Sequence, residues 1–206
     1  MLFKGALSAT SAAKRHGAIA VVLASLFPAW AAAPGLSPVA LPEDYVLLDG
    51  ASSDGNGQYV DTEYVFKTKP AVVCGMKIPE GMLTLNKDPL GTPNYSQDGC
   101  FGINFDSSFY YRYGKTTSTS TALPDDVKAA LVADYTPCAF SNEVWIAGTR
   151  ILGPVSGDNF PANTQTFYVF SGAGRPLASG FSYVKMYDDG VLVRDYLPCK
   201  DPNSTV

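Results

Sequence analysis

The sequence has 206 residues, with 15 Lys+Arg against 19 Asp+Glu, a formal charge of −4 and a single histidine. That length accommodates one domain, or one domain with a processed leader. An acidic chain with no Lys/Arg cluster outside its first residues repels phosphate backbones, which argues against nucleic acid as a partner.

The first thirty residues differ from the rest. Lys4, Lys14, Arg15 and His16 form a positive lead-in without any acid, and residues 17–27 are a nearly unbroken apolar run. Ala29-Trp30-Ala31 then places small residues at the two positions a signal peptidase reads. This layout predicts a secretory signal peptide over 1–31, cleaved after Ala31, and a secreted product, periplasmic or extracellular. The apolar run is about half of the ~20 residues needed to span a bilayer, and no second such run follows, so no membrane span is expected after processing. Cleavage removes Lys4, Lys14 and Arg15 and no acid, deepening the charge from −4 to −7. It also removes His16, so nucleophile–imidazole pairs and most zinc sites have no imidazole in the processed chain.

Residues 32–43 carry Pro34, Gly35, Pro38 and Pro42 and read as an extended linker, placing the domain over 44–206. From there, short β-branched and aromatic runs alternate with Gly, Asn, Asp and Pro clusters, the punctuation of a β protein. Residues 45–48 and 58–61 read as strands on either side of a polar, glycine-rich loop over 49–57. Residues 71–78 read as a strand. In 100–105, Phe101, Ile103 and Phe105 share one face, with Gly102 and Asn104 on the other. A turn over 106–108 leads into a strand over 109–113, and the Ser/Thr tract 116–121 reads as a solvated connection. Residues 143–147 and 150–152 form a hairpin around Gly148-Thr149, and 167–170 a short buried strand. The strands 183–187 and 191–196 enclose Asp188-Asp189-Gly190, whose Asp-Gly supplies the positive φ angles of a tight hairpin. The segment 123–134 fits either a helix, with Pro124 near its start and Val127, Ala130 and Leu131 on one face, or a turn followed by a strand over 129–135. Helix is the better local reading. Many short strands over about 170 residues exceed an immunoglobulin-like domain and suit a larger jelly roll, an all-β, two-sheet antiparallel sandwich.

Four cysteines remain after the leader: Cys74, Cys100, Cys138 and Cys199. Their spacings fit no CxxC metal site, and an oxidising compartment permits three pairings, so bridges and free thiols both stay open.

Val46-Leu47-Leu48 with Gly57-Gln58-Tyr59-Val60-Asp61-Thr62 resembles the opening element of a bacterial group of concanavalin A-like, laminin G-like domains. Phe101-Gly102, Trp145-Ile146-Ala147-Gly148 and the closing run from Lys185 through Asp188-Asp189-Gly190 to Leu197-Pro198-Cys199 are similar to its later strands. The resemblance covers about residues 45–202. It implies a two-sheet jelly roll in secreted or surface proteins, often associated with glycan recognition, and it favours a strand over 129–135, which is the expectation adopted. Members continue past the Pro-Cys element with a glycine–leucine–tyrosine–aspartate strand that this sequence lacks.

Glycan-cleaving enzymes of that superfamily use paired glutamates on one strand, two carboxyls about 5–5.5 Å apart flanking the bond. Beyond the leader the glutamates are Glu43, Glu63, Glu80 and Glu143, none two or four residues from another, so no catalytic residue and no enzyme is expected. Asp49, Asp54, Asn56 and Asp61 lack the spacing of a calcium loop and read as turn residues; no metal or cofactor is expected. By alternation Tyr110 and Arg112 lie opposite Phe109, Tyr111 and Tyr113, and Trp145 lies opposite Val144 and Ile146. With the larger apolar sets in the core, Tyr110, Arg112 and Trp145 face outward and are the candidate ligand-binding residues. The expected function is a lectin-like module for glycans, with an adhesive or structural domain binding a surface protein, or itself, as the alternative.

Overall fold

The computed structural model describes residues 46–115, 118–156 and 160–200. The expected leader 1–31 and linker 32–43 lie outside these residues. Among the described residues no helix is long and apolar enough to cross a membrane.

The chain forms two antiparallel sheets packed face to face. The first contains β2 (Ala51–Ser53), β4 (Pro70–Lys77), β9 (Thr136–Phe140), β10 (Val144–Ile146), β11 (Thr149–Leu152), β13 (Ser179–Asp188) and β14 (Val191–Tyr196). Its order is β11-β10-β9-β4-β13-β14, with β2 also paired to β13. The second, ordered β3-β12-β5-β6-β7-β8, contains β3 (Val60–Asp61), β5 (Lys87–Gly91), β6 (Phe101–Phe105), β7 (Phe109–Tyr113), β8 (Thr119–Thr121) and β12 (Tyr168–Val169). A two-stranded ribbon joins β1 (Val46–Leu47) to β15 (Cys199–Lys200). The all-β, two-sheet antiparallel sandwich expected from the sequence is the observed fold.

Period-two alternation builds the interior. Val72, Cys74 and Met76 of β4, Cys138 and Phe140 of β9, and Val144 and Ile146 of β10 are buried against Phe101, Ile103 and Phe105 of β6 and Phe109, Tyr111 and Tyr113 of β7. The sheets are also tied by a hydrogen bond from the Tyr111 hydroxyl to the Ser141 carbonyl. The β13–β14 hairpin closes through Asp189 (φ 50°) and Gly190 (φ 79°), and the β10–β11 hairpin through Ala147 (φ 54°) and Gly148 (φ 77°), one residue earlier than expected.

Three expectations are corrected. Asp125–Ala133 is a helix, α1, not a strand. Pro124 presets the entry at φ −58°, Asp125 and Asp126 sit on the positive end of the helix dipole, and Lys128 pairs with Asp125 at 2.8 Å. Val127 and Leu131, one turn apart, supply the buried stripe, and the Leu131 carbonyl accepts a hydrogen bond from the Ile78 amide at 2.9 Å. The local pattern outweighs the one inferred from the resemblance. The segment 49–57 is not all loop: Ala51–Ser53 is a strand paired with Phe181–Ser179. The Ser/Thr tract likewise contains β8, paired with β7 from Thr119 to Thr121. Sheet pairing there satisfies backbone groups of segments whose small polar side chains give no apolar alternation to mark a strand.

Candidate functional site

Tyr110, Arg112 and Trp145 all stand on outer faces, as alternation requires, but on opposite sides of the molecule. Tyr110 and Arg112 project from β7 on the six-stranded sheet, and Trp145 from β10 on the seven-stranded sheet. No single ligand contacts all three across the sandwich.

The outer face of the six-stranded sheet is partly covered. Tyr95, in the loop between β5 and β6, lays its ring on a floor made by Gly91, Gly102 and Gly172. A Cβ on Gly102 would come 2.8 Å from that ring, so this close approach requires glycine. The Arg112 guanidinium, paired across from Gly102, lies over the Tyr95 ring 4.3 Å from its centroid and holds the loop. Asp88 lies beneath with no exposed surface, paired to Arg175 through Nε at 2.7 Å. Arg175 also donates from Nη1 to Asn86 at 2.6 Å, and Asn86 accepts from Asn104 at 3.2 Å. Burial pushes the Asp88 carboxyl up to about 6 from its ordinary 3.8, with Arg175 first, then Asn104 and Tyr95, pulling it back.

This cluster carries a pH prediction. The folded chain holds the Asp88 proton more tightly than the unfolded chain does. The contribution is therefore fully present below about pH 4 and lost as pH rises through about 6. In Asp88→Asn it is absent. Urea denaturation across this range should show the variant gaining about 2–3 kcal/mol relative to wild type between pH 4 and 6. A pH-independent difference would mean that Asp88 titrates normally.

The outer face of the seven-stranded sheet is half-buried and differently built. One cross-strand row runs Arg150–Trp145–Ala139–Val73–Lys185–Asp195. Trp145 donates its indole N–H to Glu143 at 3.0 Å, and Glu143 faces Arg150 at 3.7 Å. At the other end Lys185 pairs with Asp195 at 3.2 Å. Tyr183 and Tyr187 flank Lys185 on β13. A Cβ on Gly75 would come 3.1 Å from the Tyr183 ring, which therefore leans over β4. Burial raises the pKa of Tyr183 and Tyr187 and keeps both phenols neutral. The indole and the tyrosines are three strand spacings apart, about 14 Å, across small side chains. This face offers half-buried aromatic rings, a shallow floor and a charged pair at either end.

Sequence reasoning found Trp145 and missed its companions. Tyr183, Lys185 and Tyr187 share a face by the same alternation, so the pattern was present, but the pairing that sets them opposite Trp145 is long-range. The loop acids serve turns: Asp54 accepts the Asn56 amide and Asp61 the Glu63 amide, each at 2.8 Å. Among the described residues no group of three or more His, Cys, Asp or Glu is arranged to hold a metal ion.

No family model matches the chain, and neither does any curated protein. Among the solved structures that align with it are two of a bacteriophage tailspike protein. Full-length tailspike protein 2 of an Escherichia coli O157:H7 bacteriophage matches over 68% of this chain at 16% identity, with a TM-score of 0.42. The enzymatically active domain of bacteriophage CBA120 tailspike protein 2 matches over 82% at 13% identity, with a TM-score of 0.46. The chain spans 22% and 35% of the length of those two chains.

Proposed function

We propose that this chain is a secreted, non-catalytic, lectin-like module of concanavalin A-like type that binds glycans on the outer face of its seven-stranded sheet. The observation that carries the reading is the Trp145 face itself. Its indole is held by Glu143 on a half-exposed sheet surface, in one row with Arg150 and the Lys185–Asp195 pair. A pyranose presents an apolar face of C–H groups and a rim of hydroxyls. The indole and tyrosine rings suit the first, and the carboxylates, guanidinium and ammonium suit the second. The leader-like layout of residues 1–31 and the motifs of the first and last strands support the compartment and the family. Absence of paired glutamates along any one strand supports a binding role over hydrolysis.

Binding of the purified chain to a broad glycan array, with and without calcium, tests the reading. Saturable binding is expected, weakened about tenfold or more by Trp145→Ala, a loss of ~1.4 kcal/mol or greater. Tyr110→Ala, on the opposite face, is expected to bind as wild type. Loss in Tyr110→Ala with Trp145→Ala unaffected would move the site to the other sheet. Silence across the array from folded protein would overturn the glycan reading in favour of an adhesive module.

A further inference from the structure

Cys74 of β4 and Cys138 of β9 stand directly opposite each other in the antiparallel register, among the described residues the one pair of cysteines so placed. Both side chains point into the core, with 0% and 2% of their surface exposed. Directly opposed residues of an antiparallel pair have Cα atoms about 4.5 or 5.5 Å apart, depending on their hydrogen-bonding, and a disulfide spans about 4.4–6.8 Å. Both positions of the ladder therefore meet the requirement without backbone movement. The Cys138 thiol lies 3.3 Å from the Thr136 carbonyl of its own strand. Cys100 sits against the Lys115 carbonyl at 2.7 Å and Cys199 opposite Leu47, so neither competes for this partner in the folded chain.

We propose that Cys74 and Cys138, free thiols in this structure, form a cross-strand disulfide that locks β4 to β9 when the chain folds under oxidising conditions. The oxidant is a dithiol–disulfide catalyst or glutathione disulfide. One cysteine, as thiolate, attacks the acceptor disulfide and releases one acceptor thiol, leaving a mixed disulfide. The second cysteine displaces the other acceptor thiol, so two protons and two electrons leave the pair and the acceptor is reduced to two thiols. Burial raises the Cys74 thiol well above its ordinary value and shields both sulfurs, so the exchange belongs to folding, before the sandwich closes. Once made, the bond is shielded in turn. It closes a long loop that includes the whole β5–β8 meander and α1, and so restricts the unfolded chain.

The test is refolding of the reduced full chain in a glutathione redox buffer. The expected product has lost the mass of two hydrogens, keeps two alkylatable thiols, and yields one cross-linked peptide containing Cys74 and Cys138. Its Tm should fall by about 5–15 °C when refolded under reductant, a shift absent from Cys74→Ala. The double variant Cys100→Ala/Cys199→Ala retains only the proposed pair, and its mass after oxidative folding decides the matter even where wild type scrambles. Four alkylatable thiols in folded wild type, or two in the oxidatively folded double variant, would overturn the proposal.

Discussion

Asp188→Ala is expected to destabilise the domain by about 2–4 kcal/mol, although the residue lies beside a solvent-facing turn. Its carboxylate accepts from three successive backbone amides, those of Lys67 at 2.8 Å, Thr68 at 3.0 Å and Lys69 at 3.0 Å. It also takes the Thr68 hydroxyl at 2.5 Å and the Tyr64 hydroxyl at 3.2 Å. Consecutive amides converging on one anion form a nest, here used to anchor the strap that enters β4. Alanine leaves these donors without a partner; those at the exposed edge recover water, which keeps the loss below the sum of five charged hydrogen bonds. Asp188→Asn, with one acceptor oxygen, should lose about half as much. Burial raises the carboxyl, but the Thr68 hydroxyl, the Lys67 and Thr68 amides and Tyr64 together hold it below 3.8. Its contribution is therefore present above pH 4 and lost as pH falls through the lowered value, opposite in sign to Asp88. Urea denaturation at pH 7 and below pH 4 measures both effects. A loss under about 1 kcal/mol at pH 7 would show that the strap is held by other contacts.

Phe101→Ala should cost more, about 4–5 kcal/mol, and lower Tm by roughly 8–20 °C. Phe101 is 1% exposed and meets Phe66 and Phe167 at 5.5 Å, Tyr111 at 5.9 Å and Tyr113 at 6.1 Å between ring centroids. These rings come from β6, β7 and the segments leading into β4 and β12, so the gap left by truncation cannot close by moving one element. Aromatic edge contacts add to the loss from burial alone. Tyr110→Ala, on the outer side of the adjacent strand, should change stability by no more than about 1 kcal/mol. Thermal unfolding of the two variants compares them directly. Equal losses would mean that the outer face of the six-stranded sheet is packed as firmly as the core.

The strands that were legible in the sequence are those with unbroken alternation. β7 and β10 bury every second residue, β6 alternates apolar residues in sequence although all five of its residues are buried, and the Asp-Gly turn fixed the β13–β14 hairpin because only certain residues adopt positive φ at low cost. β5 escaped notice because Asp88-Pro89 breaks its pattern, and the register shifts there between Lys87 and Leu90. Gly50 and Gly75 look like loop or breaker positions, yet each admits a tyrosine ring, Tyr135 and Tyr183, onto the sheet. Asp188 reads as a turn residue because the donors that define its role are about 120 positions earlier.

The sequence by itself determined the all-β class, the outward placement of Tyr110, Arg112 and Trp145, and the absence of paired glutamates along a strand. These are local properties, fixed by a two-residue period and by the φ preference of single residues. Only the tertiary structure decided that Trp145 stands on the face opposite Tyr110 and Arg112, that Arg112 is engaged on Tyr95, and that Cys74 faces Cys138. Alternation says that a side chain leaves a sheet but not which sheet, or what covers it. That is settled by pairings between strands far apart in the chain, whose register follows from burying both inner faces together.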